Sequence, residues 1–168
     1  RGTLFPYTTL FRSDKDCGGL IAYNYISGEP VTGLAEGRPL FVRSANDKFN
    51  LANFMRANLY ASVGVLKIGN DILFNEEKIR VDRITAHGGL FKTKGVGQRI
   101  LAAALNSPIS VMETAGEGGA WGIALLAGYL INKAVNQSLA DYLDEKVFIG
   151  NIGTEITPTS EEVEGFNT

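Results

Sequence analysis

The chain has 168 residues, 45% of them hydrophobic, and a formal net charge of −2. This length and composition fit one globular domain, and the near-neutral charge gives no basic field that would favour nucleic acid as a partner. The single cysteine, Cys17, excludes an internal disulfide, and without paired cysteines and histidines the sequence has no zinc-type spacing.

The first residues read as foreign to the protein. Residues 3–13 spell TLFPYTTLFRS, the in-frame translation of a common sequencing-library adapter, so we assign residues 1–13 to an assembly or cloning artefact. The alternative interpretation is an edge strand, because aromatic residues and threonine favour β-structure. The natural chain is therefore predicted to begin near Asp14.

Short strands are predicted next. Leu20–Ile26 is apolar and aromatic, Ser27–Pro30 is typical of a turn, and Pro39–Arg43 favours a second strand. Three aromatic residues in this region are interpreted as strand packing rather than as a sugar site: Tyr23, Tyr25 and Phe41.

The clearest helix is predicted from about Lys48 to Ile68, with Asn46 or Asp47 as its N-cap. Its face follows the i, i+3, i+4 spacing that brings side chains together on one side of a helix. The positions on that face are Leu51, Phe54, Met55, Leu59, Ser62, Val63 and Leu66. We therefore expect a helix that packs on the core.

A strand that ends at two adjacent glycines organises the middle of the chain. Ile79–Ala86 predicts the strand, and Gly88 and Gly89 follow it. Because glycine lacks a Cβ, its backbone can approach a ligand closely and adopt φ values that other residues avoid. The glycine pair is therefore a candidate ligand site.

The next helix is predicted to begin near Lys94 or Gly95, so that its N-terminus points back toward the glycine pair. Free backbone N–H groups and the positive end of a helix dipole favour a phosphate or a ribose hydroxyl. Lys92 and Lys94 would add charge there, although a solvated loop is the favoured interpretation of both. His87, the only histidine, has no adjacent carboxylate, so we favour a loop hydrogen-bonding role over catalysis.

A second strand and an apolar helix follow. Ile109–Met112 predicts the strand, and a glycine cluster leads into a nearly all-apolar helix that includes Ala120–Ile131. Because both sides of this helix are apolar, we expect it to be buried on most of its circumference. Residues 115–119 are open to two interpretations, pure packing or ligand contact. The helix is too short to span a membrane, which excludes a membrane partner.

The C-terminal part is predicted to be less regular. Ser138–Phe148 favours a short helix, and Ile149–Thr168 is polar and acidic, which is typical of a solvated, interrupted connection. Other phosphate motifs do not fit this chain. Gly95–Ile100 starts like a dinucleotide fingerprint but has isoleucine at the third glycine position, and the sequence contains no P-loop.

Two motifs resemble a known family. The run HGGLFKTKGVGQRILAAAL, followed by ETAGEGGAWGIALLAGYL, is similar to the C-terminal domain of the FGGY carbohydrate kinases, especially their xylulokinase and ribulokinase branch. The resemblance implies an α/β fold of the actin-like ATPase (ribonuclease H-like) type, with a mixed sheet and packed helices. Residues 14–168 would then be a partial C-terminal, nucleotide-side domain that is truncated at both ends.

The resemblance also implies a function. The full-length parent is expected to phosphorylate a sugar with ATP, a pentulose such as xylulose or ribulose, with Gly88, Gly89, Lys92 and Thr93 in the adenosine site. Thr93 or a lysine stands at the family's asparagine-like position, and His87 stands at the first glycine of its frequent triplet. The catalytic aspartate is expected upstream, and Mg²⁺ is expected to be bound mainly by regions outside this chain. We therefore assign this chain no catalytic or metal residue and expect it to be inactive alone.

ATP and a small sugar are the expected partners, the parent is expected to be a cytoplasmic enzyme, and it is a candidate homodimer. Two alternatives stay open. The first is a non-catalytic actin-like module that binds nucleotide for regulation or assembly, and the second is a structural α/β module without a ligand. An upstream sugar-binding domain with a GDQ-type aspartate would favour the kinase.

Overall fold

The structure, a computed structural model, describes residues 12–81, 84–112, 118–149 and 153–168. The adapter-like residues 1–11, residues 82–83 of the predicted strand, residues 113–117 and residues 150–152 lie outside these ranges. The strands are β1 (Ile21–Tyr23), β2 (Leu40–Val42), β3 (Ile84–Ala86), β4 (Ile109–Val111) and β5 (Thr154–Ile156). The helices are α1 (Leu51–Asp71), α2 (Val96–Leu105), α3 (Gly118–Asn132), α4 (Leu139–Lys146) and α5 (Ser160–Asn167).

A mixed three-stranded sheet carries the middle of the chain. β3 and β4 are parallel neighbours, with Ala86 opposite Val111, and β5 pairs antiparallel with β4 on its other edge. The mixed sheet that the resemblance implies is therefore confirmed. β1 and β2 form a separate antiparallel pair.

The strand predicted from Ile79 does not form a ladder over its whole length. Among the described residues the ladder covers Ile84–Ala86, and residues 79–81 lie outside it. The backbone N–H of Ile79 donates to the carbonyl oxygen of Leu73 at 3.0 Å, and Lys78 just before it has a φ of 55°. Residues 79–81 thus belong to the turn that leaves the helical segment Ile72–Glu76. An apolar sequence pattern does not show whether a backbone N–H, such as that of Ile79, bonds within a turn or to a neighbouring strand.

Helix α1 begins later than predicted because its cap is Asn50. The Asn50 side-chain oxygen accepts a hydrogen bond from the backbone N–H of Asn53 at 2.9 Å. Asn46 and Asp47 were the wrong candidates, since the Asp47 carboxylate instead accepts from the Ser44 hydroxyl at 2.7 Å. The Asp47 carboxylate is engaged in this local turn, and the helix therefore begins after Asn50.

The main core lies between the three-stranded sheet and the helices α1 and α2. Ile100 of α2 and Ile109 of β4 are fully buried there, and Val63 of α1 is nearly so. Val96, Ile100 and Leu101 of α2 are buried at this contact, and the helix begins at Val96, next to the start predicted near Lys94 or Gly95. Because α2 is anchored in this core, the core also fixes the position of the segment between β3 and α2.

Helix α3 differs from its prediction because none of its residues is buried. Ile123, Leu130 and Ile131 are 69%, 71% and 82% exposed. The contacts that hold α3 are aromatic and lie toward α4: Trp121 is 5.9 Å from Phe148, and Tyr129 is 5.4 Å from Tyr142, measured between ring centroids. A nearly all-apolar sequence predicts a helix that is buried on every side. Within the described ranges, the side of α3 that faces α4 is the one in contact with other residues.

The predicted solvated tail is also wrong, because it forms β5 and α5. Thr159 and Glu162 make a reciprocal capping box at the start of α5. The Phe166 ring of α5 packs against Tyr60 of α1 at 4.5 Å between centroids. The acidic composition of the segment hid these local contacts. Within the described residues no helix combines the length and apolar character needed to cross a bilayer.

Candidate functional site

The glycine pair lies where the carboxyl end of β3 turns into a short 3₁₀ segment, Gly89–Lys92. Gly88 has φ 116° and ψ 176°, a backbone region that is essentially restricted to glycine. The fold itself therefore requires glycine at position 88, because any side chain would strain this turn.

Gly89 is different, since the described fold does not require its lack of a side chain. Its φ is not positive, and no protein atom outside its immediate neighbours lies within 4 Å of the place where a Cβ would be. Gly89 is also exposed. The backbone at this residue is therefore open to close approach by another molecule.

Both glycines border an open cleft of about 670 Å³ between α1, β3 and α2. This volume lies in the range of small-molecule sites. Most lining side chains are apolar, and the polar ones are few. The lining comprises Ser62, Val63, Leu66, Asn70, Phe74, Val81, Ile84, Thr85, Ala86, His87, Gly88, Gly89, Leu90, Phe91, Leu101 and Leu105.

Lys92 and Thr93 flank this cleft but are not among the residues that line it. Lys92 is the exposed last residue of the 3₁₀ segment. The carbonyl oxygen of Thr93 accepts from the backbone N–H of Val96 at 3.3 Å. The structure thus brings the two glycines together on one rim and leaves the two polar candidates beside it.

The N-terminus of α2 is not the open anion site that its position suggested. Val96, Gly97 and Gln98 are all buried, and the N–H of Val96 is already used by Thr93. Leu90 covers Gly97. The free N–H groups expected to face a phosphate are therefore occupied or shielded, and the cleft rather than the helix end is the accessible part of the site.

The cleft has an aromatic wall that was not predicted from the sequence. Phe74 and Phe91 line it from opposite ends of the β3 region. Phe91 stands two residues after the glycine pair, so the sequence placed it near the site. Phe74 reaches the cleft only because Ile72–Glu76 continues α1 as a wider helical turn. A helical segment of five residues is too short to show a periodic apolar pattern in the sequence.

The groups with shifted pKa values lie away from the cleft, around the N-terminal segment. Burial raises the pKa of the Cys17 thiol to about 12, against the lowering effect of Arg56. Burial likewise raises the pKa of Tyr60, whose hydroxyl accepts from Arg56 at 2.9 Å. The buried Ser13 hydroxyl accepts from the Nε of Arg56 at 2.6 Å. This polar cluster joins residues 13–17 to α1, so that Ser13, the last residue of the stretch assigned to the adapter, packs on the domain.

Metal ligands are not grouped in the part of the chain that the structure describes. No cluster of three histidine, cysteine, aspartate or glutamate side chains there could hold a metal ion. The residues around the glycine pair fit a nucleoside better than a cation, since they offer apolar walls and open backbone rather than carboxylates.

Comparison with known proteins identifies the domain. The model of the FGGY family of carbohydrate kinases, C-terminal domain, matches residues 8–131, and so begins within the stretch that we assign to the adapter. Comparison with curated protein sequences finds no match.

Solved kinase structures share the fold. Xylulose kinase from Rhodospirillum rubrum is 18% identical with a TM-score of 0.67 over 97% of this chain. Plasmodium falciparum glycerol kinase with ADP is 17% identical with a TM-score of 0.68 over 95%, and gluconate kinase from Lactobacillus acidophilus is 21% identical with a TM-score of 0.67 over 96%. The match covers 31% of each of these kinase chains. The expected actin-like α/β fold is confirmed.

Proposed function

Since the chain belongs to the FGGY family of carbohydrate kinases through its C-terminal domain, we propose that it forms the nucleotide-binding side of an enzyme that phosphorylates a sugar with ATP. The sugar is proposed to be a pentulose such as xylulose or ribulose. A cytoplasmic location and a homodimer of the parent belong to the same proposal. This chain alone is proposed to be inactive.

One observation carries the proposal for the site, namely the open space at Gly89. Gly88 is explained by its backbone conformation, whereas Gly89 has an ordinary conformation and no neighbour that a Cβ would meet. A ligand that lies against the backbone explains why a side chain is absent there. The open, largely apolar cleft beside it suits the adenosine part of ATP.

The proposed roles of the chain's residues are binding roles. Gly88 and Gly89 let the backbone lie against the nucleoside, and Lys92 and Thr93 extend the site past the end of the cleft. Phosphoryl transfer needs an acceptor hydroxyl, a base and metal-bound phosphates held together. We assign the catalytic aspartate and most of the Mg²⁺ site to parts of the parent enzyme outside this chain.

The test uses the full-length parent enzyme with Gly89→Val. The valine side chain would occupy the space proposed for the nucleoside and stiffen the turn, so the apparent KM for ATP should rise or ATP binding should be lost. Sugar affinity should stay within about a few-fold of the parent's, because the sugar site is assigned to the other domain.

Gly69→Val is the matched control. Gly69 lies in α1, a Cβ there would meet no atom within 4 Å, and it does not line the cleft. Its KM for ATP should be unchanged. Unaltered ATP affinity in a folded Gly89→Val enzyme would show that no nucleoside lies against the backbone at Gly89, and would favour the structural module without a ligand. Nucleotide binding without turnover of any sugar by the full-length enzyme would favour a non-catalytic actin-like module.

A further inference from the structure

His87 stands at the rim of the cleft, between β3 and the glycine pair. It is exposed and lines the cleft next to Gly88 and Gly89. Apart from His87, none of the described residues that line the cleft has an ionisable side chain. The imidazole is therefore the most versatile polar group on an otherwise mainly apolar surface.

The first residue of α3 lies against this histidine. A Cβ at Gly118 would be 3.0 Å from the Cβ of His87 and 3.4 Å from both its Cγ and its Nδ1. Such distances are tighter than ordinary van der Waals contacts, so the glycine at position 118 lets the imidazole lie directly on the start of α3. One side of the ring is thereby in contact with protein, and the residue's exposed part is left for the cleft.

We propose that His87 positions the nucleoside, by hydrogen bonding to its ribose or base while the nucleoside lies against Gly88 and Gly89. This inference rests on the proposed function and adds a residue to it. An imidazole offers N–H donation and, when it carries one proton, acceptance as well, which matches ribose hydroxyls and purine edges. In a mostly apolar site, a few polar groups fix ligand orientation.

The chemistry of the lining favours the nucleoside over the phosphates. A triphosphate needs several cationic or backbone N–H partners, and no lysine or arginine is among the cleft-lining residues. The N-terminal residues of α2 are buried, as described above. The part of the nucleotide that His87 contacts should therefore be uncharged.

The single histidine makes a direct test practicable in the 168-residue chain. Its imidazole C–H signals in the NMR spectrum are assigned without ambiguity. Adenosine at millimolar concentration should shift these signals and the backbone amide signals of Gly88 and Gly89, whereas inorganic triphosphate should leave the imidazole signals in place. His87→Ala should weaken adenosine binding by about fivefold, the effect of one hydrogen bond.

A pair of glycine variants separates a positioning role from mere proximity. Gly118→Ala should move the imidazole by a few tenths of an ångström, change its signals without ligand and weaken adenosine binding. Gly122→Ala is the control one turn further along α3, where a Cβ meets nothing within 4 Å, and it should change neither.

The outcomes are distinguishable. If adenosine shifts the glycine amide signals but not those of His87, the inference about His87 is wrong and the proposed site stands. A shift of the imidazole with triphosphate alone would also overturn it, in favour of a phosphate contact. If adenosine moves neither set of signals at saturating concentration, the proposed function of the site fails together with the role of His87.

Discussion

A Cβ atom at Gly97 would lie 2.6 Å from the Cγ of Leu90 and 2.8 Å from the Leu90 carbonyl oxygen. The first turn of α2 therefore lies against the backbone of the segment that follows the glycine pair. This contact holds the rim of the cleft to the core, because Val96 and Ile100 of the same helix are buried among the core residues.

Gly97→Ala should destabilise the fold by about 1–3 kcal/mol. The Leu90 side chain can rotate away from a methyl group, but its carbonyl oxygen belongs to the backbone and has to shift with the turn. Urea unfolding measures the change. Gly64→Ala in α1 is the control, since a Cβ there meets no atom within 4 Å, and it should stabilise the protein by about 0.5–1 kcal/mol. Equal stability of the two variants would show that the backbone at Leu90 shifts to accommodate a methyl group at position 97 without a cost in stability.

Gln98→Leu should loosen β5. The Gln98 amide nitrogen donates to the carbonyl oxygens of Ile109 and Thr154, both at 2.7 Å, from a buried position. Loss of these bonds leaves two acceptors without this donor and should cost about 1–3 kcal/mol. Hydrogen exchange over residues 154–156 should accelerate more than exchange in α1.

Ser110→Ala is the matched control for that measurement. The Ser110 hydroxyl also links β4 to β5, through Glu155 at 2.9 Å, but this bond is exposed. Its removal should change stability by less than about 0.5 kcal/mol. A similar effect of both variants would mean that burial does not strengthen the Gln98 link.

Stability should fall with acidification through Glu162. Burial opposes ionisation of this carboxyl, but the backbone N–H of Thr159 and the guanidinium of Arg99, each at 3.0 Å, outweigh it, so the pKa of Glu162 lies below its ordinary value of 4.5. A carboxyl with a lowered folded-state pKa contributes its full stability above the unfolded pKa and loses it as pH falls through the folded one.

Glu162→Gln should therefore cost about 1–2 kcal/mol near neutral pH and flatten the acid side of the stability curve. Arg99 is partly exposed, which reduces the ionic share of this figure. Urea unfolding measures both effects when it is repeated from about pH 3 to about pH 7, an interval that includes the ordinary pKa of glutamate. Glu161→Gln, an exposed neighbour in the same turn, should change neither, and an equally flat curve for it would contradict the assignment.

Cys17 should resist thiol reagents in the folded protein. With its pKa raised to about 12 from 9.0 by burial, its thiolate fraction at pH 8 (roughly the usual labelling pH) falls about a thousandfold, and the thiolate is the reacting form. Labelling by a coloured disulfide reagent should be slow in buffer and rapid in guanidinium. Fast stoichiometric labelling of the native protein would show that residues 14–20 open readily.

The sequence predicted helices and strands best where a periodic apolar face meets a single core. The face of α2 follows such a pattern in Val96, Ile100 and Leu101, and the helix begins directly after Gly95, one of the two starts predicted from the sequence. The cap of α1 was not readable, since three neighbouring polar residues, Asn46, Asp47 and Asn50, compete and the Ser44 turn decides among them.

The C-terminal segment shows why composition misled. β5 is held by its pairing with β4 and by Gln98, both distant in sequence, and it has no apolar pattern of its own. The Thr159–Glu162 capping box is a sequence pattern that indicates the start of α5. The acidic composition of the stretch led us to predict a solvated connection instead. For the site, the glycine pair was placed correctly at the end of β3, and its role in nucleotide binding stays a prediction. The cleft beside it depends on packing between α1 and β3, which no local pattern encodes.

Trp121 is the only tryptophan, and its position gives the protein an unusual spectroscopic character. Its ring contacts Phe148 rather than the core, on a helix with no buried residue. Tryptophan emission therefore monitors the α3–α4 pair, while circular dichroism follows all the helices together. If this pair opens before the sheet does, the two signals will give different denaturant midpoints, and emission alone will underestimate how firmly the rest of the domain is folded.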